Sequence, residues 1–253
     1  MTNSESQEKS STGKSSKKIG IIILVVLSFM ILPIFTKTCS KFAIKGKQQN
    51  EQSCNCKNSI NYGDIRICLP EISGMNESSK VPKVKEILGL KGSKSCKVLA
   101  YYINDETYQK VNELDQSIYD DYLYIYGIKG FENTSVDQSN LESYTNDITN
   151  YNWSNILKNV EKKLDSLSIN LSIGKFINIE SYSLNDRVNS IVMLSKVQSV
   201  EKEYVLICIM NVVLIKERVA LACYYKFYDG QKSIKAAKAK NDYMVLQFVN
   251  ENK

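Results

Sequence analysis

The stretch YVLICIMNVVLIKERVALACYYKFY, Tyr204 to Tyr228, decides the fold of this chain. It reads as two strands, Tyr204 to Ile215 and Arg218 to Tyr228, joined by a turn at Lys216 and Glu217. Both strands are apolar on both faces, and such strands lie in the middle of a sheet that is covered on its two sides. The sequence therefore predicts a central strand pair inside a covered sheet.

Further strand patterns precede this pair. Period-two alternation runs over Phe176 to Ser183 and over Ser190 to Val200, with turn residues between the two segments. Earlier strands are predicted at Ile65 to Leu69, which Pro70 stops, and at Lys97 to Ile103. These segments predict a twisted antiparallel sheet.

One more strand alternates with unusual clarity. It places Tyr122, Tyr124 and Tyr126 on one face and Leu123 and Ile125 on the other. A row of tyrosines can form a stacking surface, which makes the three rings candidate ligand-binding residues for a small molecule or a glycan. The competing interpretation is that these rings pack under a helix, because aromatic residues favour strands for packing reasons alone.

Segments with helical periodicity lie between the earlier and the later strands and at the C-terminal end of the domain. Helices are predicted near Val84 to Leu88, at Asn140 to Thr149, at Trp153 to Leu167 and at Ser233 to Val249. A twisted antiparallel sheet whose helices are segregated in sequence predicts an α+β fold, with the sheet flanked by helices.

This order of elements resembles the PsbP/Mog1-like family of α/β/α sandwiches. The resemblance rests on a middle helix, on the meander Phe176 to Tyr228 that ends RVALACYYKFYDGQKSI, and on the helix that follows. It covers most of residues 60–252 and includes no diagnostic motif. Because families of this fold include membrane-associated accessory proteins, the resemblance implies a non-catalytic scaffold, and it carries over no residue as functional.

The N-terminal region contains the uncharged run IGIIILVVLSFMILPIF, Ile19 to Phe35, which is long enough to cross a bilayer. Lysines follow where a signal peptidase site needs small residues, and this favours a single-pass transmembrane anchor over a cleaved signal peptide. Lipidation of Cys39 stays open. We predict a disordered tail at 1–18, the anchor at 19–35, a tether at 36–58 and an α+β domain at 59–253.

A short polar tail before a long domain is the usual layout of a signal anchor, so we expect the domain on the extracytoplasmic side. The net charge of +6 comes mostly from lysines near the anchor. They indicate contact with membrane lipid around Ile19 to Phe35, and not with nucleic acid. These residues are Lys9, Lys14, Lys17, Lys18, Lys37, Lys41, Lys45 and Lys47.

The cysteines divide into two groups. Cys208 and Cys223 stand in apolar strand patterns, which is typical of small buried side chains. Four others lie in the loop-rich first part of the domain or just before it, and they are possible disulfide cysteines in an oxidising compartment. Four cysteines allow three connectivities, and the spacing does not choose among them. They are Cys54, Cys56, Cys68 and Cys96.

Histidine is absent from the chain, which excludes Ser-His and Cys-His nucleophile pairs and the commonest zinc ligand. We predict no catalytic residue, no metal site and no cofactor. Two groups of charged residues are interpreted first as solvated surface. The alternative for the acidic group is a cation site. The alternative for the lysine group is a surface that meets an acidic partner or anionic lipid. The acidic group is Asp115, Asp120 and Asp121, and the lysine group is Lys232, Lys235 and Lys238.

Together these patterns predict a membrane-anchored, non-enzymatic extracytoplasmic domain that acts as a protein-binding or accessory assembly factor. The alternative is a ligand-binding module that uses the tyrosine-lined sheet face. An open pocket beside the rings would favour the ligand, whereas a helix over them would remove it.

Overall fold

The computed structural model describes residues 44–45, 56–87, 96–111, 120–150, 171–199 and 203–253 of the chain. These ranges contain a large sheet, two small strand pairs and a few helices. The strands are β1 (Ile44–Lys45), β2 (Ser59–Tyr62), β3 (Ile65–Cys68), β4 (Met75–Glu77), β5 (Cys96–Asn104), β6 (Tyr122–Ile128), β7 (Thr134–Ser135), β8 (Leu171–Ile173), β9 (Ile177–Asn185), β10 (Val188–Ser199), β11 (Glu203–Ile215) and β12 (Arg218–Phe227). The helices are α1 (Pro82–Ile87), α2 (Asp105–Gln109), α3 (Gln138–Thr149) and α4 (Gln231–Asn250). The predicted α+β class is confirmed.

The large sheet is antiparallel throughout its described pairs, in the order β4-β5-β6-β12-β11-β10. Strands β8 and β9 both pair with the remaining edge of β10, one after the other. Strands β9 to β12 form a meander, and β12 closes onto β6. The two strands predicted to be central, β11 and β12, do lie in the middle of the sheet.

One face of the sheet is rich in tyrosine and cysteine, and we call it the tyrosine face. Among the described residues it packs against α3 through Leu141, Tyr144 and Ile148. Its buried members include Tyr101, Tyr122, Tyr124, Tyr126, Tyr225, Cys208 and Cys223.

The opposite face packs against α4 and the β2–β3 hairpin. Leu123 and Ile125 point to this side, as the alternation in β6 predicts. Helix α4 contributes Ala237, Met244 and Phe248 to the same cluster. Burying one such large side chain stabilises the fold by about 1.5–3 kcal/mol, so α4 is held mainly by its apolar stripe.

Two local features fit the strand pattern. Lys216 and Glu217 both have positive φ, 46° and 60°, as a two-residue hairpin turn between twisted strands requires. On β6, Gly127 faces the ring of Tyr62, where an added Cβ would lie 2.1 Å from a ring carbon. The missing side chain lets the Tyr62 hydroxyl accept a hydrogen bond of 2.9 Å from the Ile128 amide.

The predicted strands that fall in the described ranges are confirmed within a few residues. The three predicted helices that fall in the described ranges are also confirmed, and they are α1, α3 and α4. Sequence patterns missed the short elements β1, β2, β4, β7, β8 and α2, which offer too few residues for a period to show. Strand β1 lies within residues 36–58, which are predicted as the tether, and it pairs with β7. The predicted tail at 1–18, anchor at 19–35 and helix at Trp153 to Leu167 lie outside the described residues.

Across the ranges that the structure describes, no helix combines the length and apolar character needed to cross a membrane.

Candidate functional site

The three tyrosines predicted as ligand-binding residues lie together on the tyrosine face. Tyr122 and Tyr124 are each 5% exposed and Tyr126 is 1% exposed. The Tyr124 and Tyr126 ring centroids are 5.1 Å apart, and Tyr122 stacks on Tyr225 at 4.8 Å. This is the geometry of a packed core, in which the rings offer almost no surface to a ligand.

Burial also governs the ionisation of this face. It raises the pKa of Tyr122, Tyr124 and Tyr126 above the usual tyrosine value, because the phenolate would lose its water. For the same reason the pKa of the Cys223 thiol rises to about 12. The Tyr126 hydroxyl lies 3.6 Å from the Cys223 sulfur. These groups stay protonated near neutral pH, so the thiol lacks the thiolate character of a nucleophile.

Of the four cysteines proposed for disulfides, Cys56 and Cys68 are bonded to each other, with their Cα atoms 5.8 Å apart. Cys54 lies outside the described residues. Cys96 lies buried in the cluster of the tyrosine face, on the other side of the sheet from the β2–β3 hairpin. The bond closes a loop with a sequence separation of 12 and contributes about 3 kcal/mol in the chain-entropy model.

The Asn252 side chain, near the C-terminus, forms hydrogen bonds with the backbone of Cys68. Asn252 accepts a hydrogen bond from the Cys68 amide and donates one to the Cys68 carbonyl, both at 2.8 Å. Asn252 is buried, and its Nδ2 also donates to the Phe248 carbonyl. The end of α4 is therefore tied to the disulfide-bonded strand β3.

Two of the three acidic residues considered as a cation site have structural partners. The Asp120 carboxylate accepts a hydrogen bond of 2.7 Å from the Phe227 amide. Asp121 accepts one from the Tyr224 hydroxyl at 2.6 Å and one from Lys240 Nζ at 2.7 Å. Asp115 lies outside the described residues. Among the residues that the structure describes, no group of three or more Cys, Asp or Glu side chains is placed to hold a metal ion.

The three lysines that are predicted to share a face of the last helix have different surroundings in the structure. Lys232 and Lys235 are exposed. Lys238 instead turns toward the sheet, where it forms an ion pair with Glu180 and lies 4.4 Å from the Tyr182 ring centroid. Helix α4 therefore packs against β9 with one of these lysines, and only two of them face solvent.

The described surface has its most exposed large apolar side chain on β9. Ile177 is 61% exposed and Ile179 is 44% exposed. Strand β9 pairs with β10 on one side, and the described residues place no strand on its other side. A register shift between Val192 and Met193 bends the ladder beside Ile179. We call this feature the β9 edge.

Sequence patterns predicted the β9 strand but not its position at an edge. The alternation of Phe176 to Ser183 is compatible with a central strand or an edge strand, because both have period two. One signal was present: the stretch INIESYSLN contains isoleucines among small polar residues and lacks the continuous apolar run of β11. That composition is typical of a strand with one face in solvent.

The β9 edge and the two closed sheet faces define this domain as an antiparallel α+β sandwich with an apolar edge strand. No protein-family model matches the chain, and no curated protein matches it. Among solved structures it is similar to the Ran-binding protein Mog1p of Saccharomyces cerevisiae, with 9% identity, a TM-score of 0.29, and coverage of 77% of this chain and 91% of that chain. A mutant of protein Mog1 matches with 9% identity, a TM-score of 0.28, and coverage of 77% and 92%. This likeness is distant, and neither the fold class nor the function proposed below depends on it.

Proposed function

We propose that this chain is a membrane-anchored, non-enzymatic accessory protein whose domain binds another protein on the extracytoplasmic side. The observation that carries the proposal is the β9 edge, where Ile177 and Ile179 are exposed on a strand that has no second neighbour among the described residues. An extended segment of a partner can add to such an edge through main-chain hydrogen bonds, while the isoleucines supply apolar contact. The partner is therefore a protein that presents an extended apolar segment.

The rest of the described domain supports binding over chemistry. In the middle of the described sheet, at β6, β11 and β12, both faces are closed by packing, and the buried thiols and phenols are held in their protonated forms. The Cys56–Cys68 disulfide persists best in an oxidising compartment, which supports the extracytoplasmic location. The apolar run at residues 19–35 supplies the anchor in this proposal.

A photo-crosslinking amino acid tests the β9 edge in the full chain in its own membrane. Ile179 and Tyr108 are comparable positions, because they are 44% and 37% exposed and Tyr108 lies on α2, beside β5 in the other half of the sheet. We expect one protein to be crosslinked from position 179 and not from position 108. The substitution Ile177→Glu should suppress that adduct, whereas Asn178→Glu, the neighbouring exposed position, should not.

Equal crosslinking from both positions would contradict a specific edge. An adduct that contains only a second copy of this chain would replace the foreign partner with self-association. Turnover of a substrate by the purified chain, lost on substitution of a defined cluster, would remove the non-enzymatic assignment.

Sidedness is tested through the disulfide. In intact cells, a membrane-impermeant thiol reagent should label Cys56 only after reduction, because the bond to Cys68 protects its sulfur beforehand; Cys68 itself is 2% exposed and stays shielded. Labelling of Cys56 without reduction, and only after the membrane is broken, would place the domain on the cytoplasmic side.

A further inference from the structure

Strand β1 holds the N-terminal part of the chain against one end of the sheet. Ile44 lies opposite Ser135 and Lys45 opposite Thr134 in an antiparallel pair with β7. The chain therefore reaches the domain at residue 44, well before the first strand of the β2–β3 hairpin.

Four turns meet at this end, and we call it the turn end: residues 63–64, 129–130, 186–187 and 216–217. Ser135 Oγ donates a hydrogen bond of 2.7 Å to the Glu217 carboxylate, which joins β7 to the β11–β12 turn. The buried Arg218 donates to Asp64 at 2.9 Å, which joins that turn to the β2–β3 hairpin. The Leu214 amide donates to the Arg187 carbonyl at 2.9 Å.

The covalent reach of the chain limits how far the turn end can lie from a membrane. Nine residue steps separate Phe35 from Ile44, and a fully extended chain spans about 30 Å over that number of steps. Without β1 the tether would run to Ser59 and reach about 80 Å, and every orientation would be possible. Strand β12, 10 residues long, places the far end of the sheet about 30 Å beyond the turn end.

We infer that the turn end faces the headgroup layer of the bilayer that holds residues 19–35, and that β1 sets this orientation. The inference rests on the anchor of the proposed function and adds the surface by which the domain meets the lipid. The far end, with α2 and the start of β6, points away from the membrane.

The side chains of the turn end suit headgroups and not the hydrocarbon core. Its turns carry both signs of charge: Asp64, Lys129, Asp186 and Glu217 are exposed, and Arg187 and Lys216 are half-buried. The exposed large apolar residues of the described chain all lie elsewhere: Tyr108, Ile177, Ile179 and Tyr243. The flanking lysines of the tether add attraction to anionic lipid close to the surface. They are Lys37, Lys41, Lys45 and Lys47.

This orientation separates the β9 edge from the membrane. Ile177 lies opposite Leu194, six residues along β10 from Val188 at the turn end. At about 3.3 Å per residue the exposed isoleucine stands about 20 Å from the turn end, on the side of the domain. It is therefore presented to a neighbouring protein and not to lipid.

The test places a fluorescent amino acid at Asp186 or at Gln109 in the full chain, reconstituted in vesicles of phosphatidylcholine and phosphatidylglycerol. Both positions are exposed, one at the turn end and one on α2 at the far end. A spin label on the lipid headgroup serves as a short-range quencher. Because the positions differ by about 30 Å in height, quenching at 186 should exceed quenching at 109 by about threefold or more.

Two variants test the part that β1 plays. Ile44→Pro removes the amide hydrogen at one of the two residues of β1 and disfavours the pair with β7, which lengthens the effective tether, so the difference in quenching should fall by about half or more. Ile44→Val keeps the strand and should preserve the difference. Equal quenching at both positions in the unmodified chain would overturn the orientation, and an unchanged difference in Ile44→Pro would overturn the role of β1. A chain that does not float with vesicles would refute the anchor itself, and the orientation with it.

Discussion

Asp121 shows how one side chain joins three elements of this domain. Its φ is 64°, in the left-handed region that non-glycine residues adopt only at some cost in free energy. Its carboxylate accepts hydrogen bonds from Tyr224 on β12 and Lys240 on α4, at 2.6 Å and 2.7 Å. These two contacts offset the backbone strain and hold the start of β6 against the last helix.

Substitutions at Asp121 should therefore rank by the contacts that they keep. Asp121→Asn keeps an acceptor for Tyr224 and tolerates left-handed backbone, and we expect it to lower the free energy of unfolding by about 1 kcal/mol. Asp121→Ala keeps neither property and should cost about 2–3 kcal/mol. Urea unfolding of the full chain in detergent measures both values. A smaller loss for Ala than for Asn would contradict this account.

At the scale of an element, α4 is placed on the sheet by a buried pair of amides. Asn211 Nδ2 on β11 donates to Asn241 Oδ1 on α4 at 2.8 Å, and Asn241 Nδ2 donates to Asn211 Oδ1 at 3.0 Å. Asn211 also donates to the Ala222 carbonyl and accepts from Ser190 Oγ, both at 2.7 Å. The apolar stripe of α4 supplies attraction without direction, whereas this amide pair fixes the position of the helix along the strand.

We expect the two asparagines to be energetically coupled. Asn241→Ala removes one buried hydrogen bond from Asn211 Nδ2 and one from Asn211 Oδ1, while the bonds to Ala222 and Ser190 remain, and it should cost about 2 kcal/mol in the free energy of unfolding. In the double variant Asn211→Ala with Asn241→Ala, the total loss should fall short of the sum by about 1 kcal/mol, because both single changes remove the same two hydrogen bonds. A double-mutant cycle by urea unfolding measures the coupling, and strict additivity would argue against the pair.

At the scale of the whole molecule, the chain combines a lack of histidine with many buried phenols and thiols. Burial raises the pKa of Tyr122, Tyr126, Tyr225 and Cys208 in the folded state. The unfolded chain releases these protons near pH 10 for tyrosine and near pH 8.5 for cysteine. Stability is therefore complete below the unfolded pKa values and is lost as the pH rises above them.

The free energy of unfolding is predicted to be constant between pH 6 and 8, because the chain has no histidine to titrate there, and to fall above about pH 9. Each buried group adds a slope of about 1.4 kcal/mol per pH unit once the unfolded form ionises. Urea midpoints at constant ionic strength measure the curve. Tyr225→Phe should make the alkaline decline shallower, and Tyr108→Phe, at an exposed ring, serves as the control. Midpoints that stay constant to pH 11 would contradict the prediction.

Much of the architecture follows from local patterns. The apolar runs of β11 and β12 predicted central strands, and the alternation in β6 predicted which side chains share a face, because a strand has a period of two whatever its neighbours are. Asn211 interrupts an apolar strand, and this single polar residue is the sequence signal of the amide pair. The short elements β1, β2, β4, β7, β8 and α2 gave no such signal, since their contacts with other segments stabilise them and their own periodicity does not.

The sequence by itself determined the α+β class, the central strand pair and the tyrosine row on one face of β6, because these depend on residue order within one segment. Only the tertiary structure decided that Tyr122, Tyr124 and Tyr126 are buried while Ile177 and Ile179 are exposed. It also decided that Cys56 bonds to Cys68. Burial and pairing depend on which distant segments pack together, and a period of two is the same for a strand in the middle of a sheet and for one at its edge.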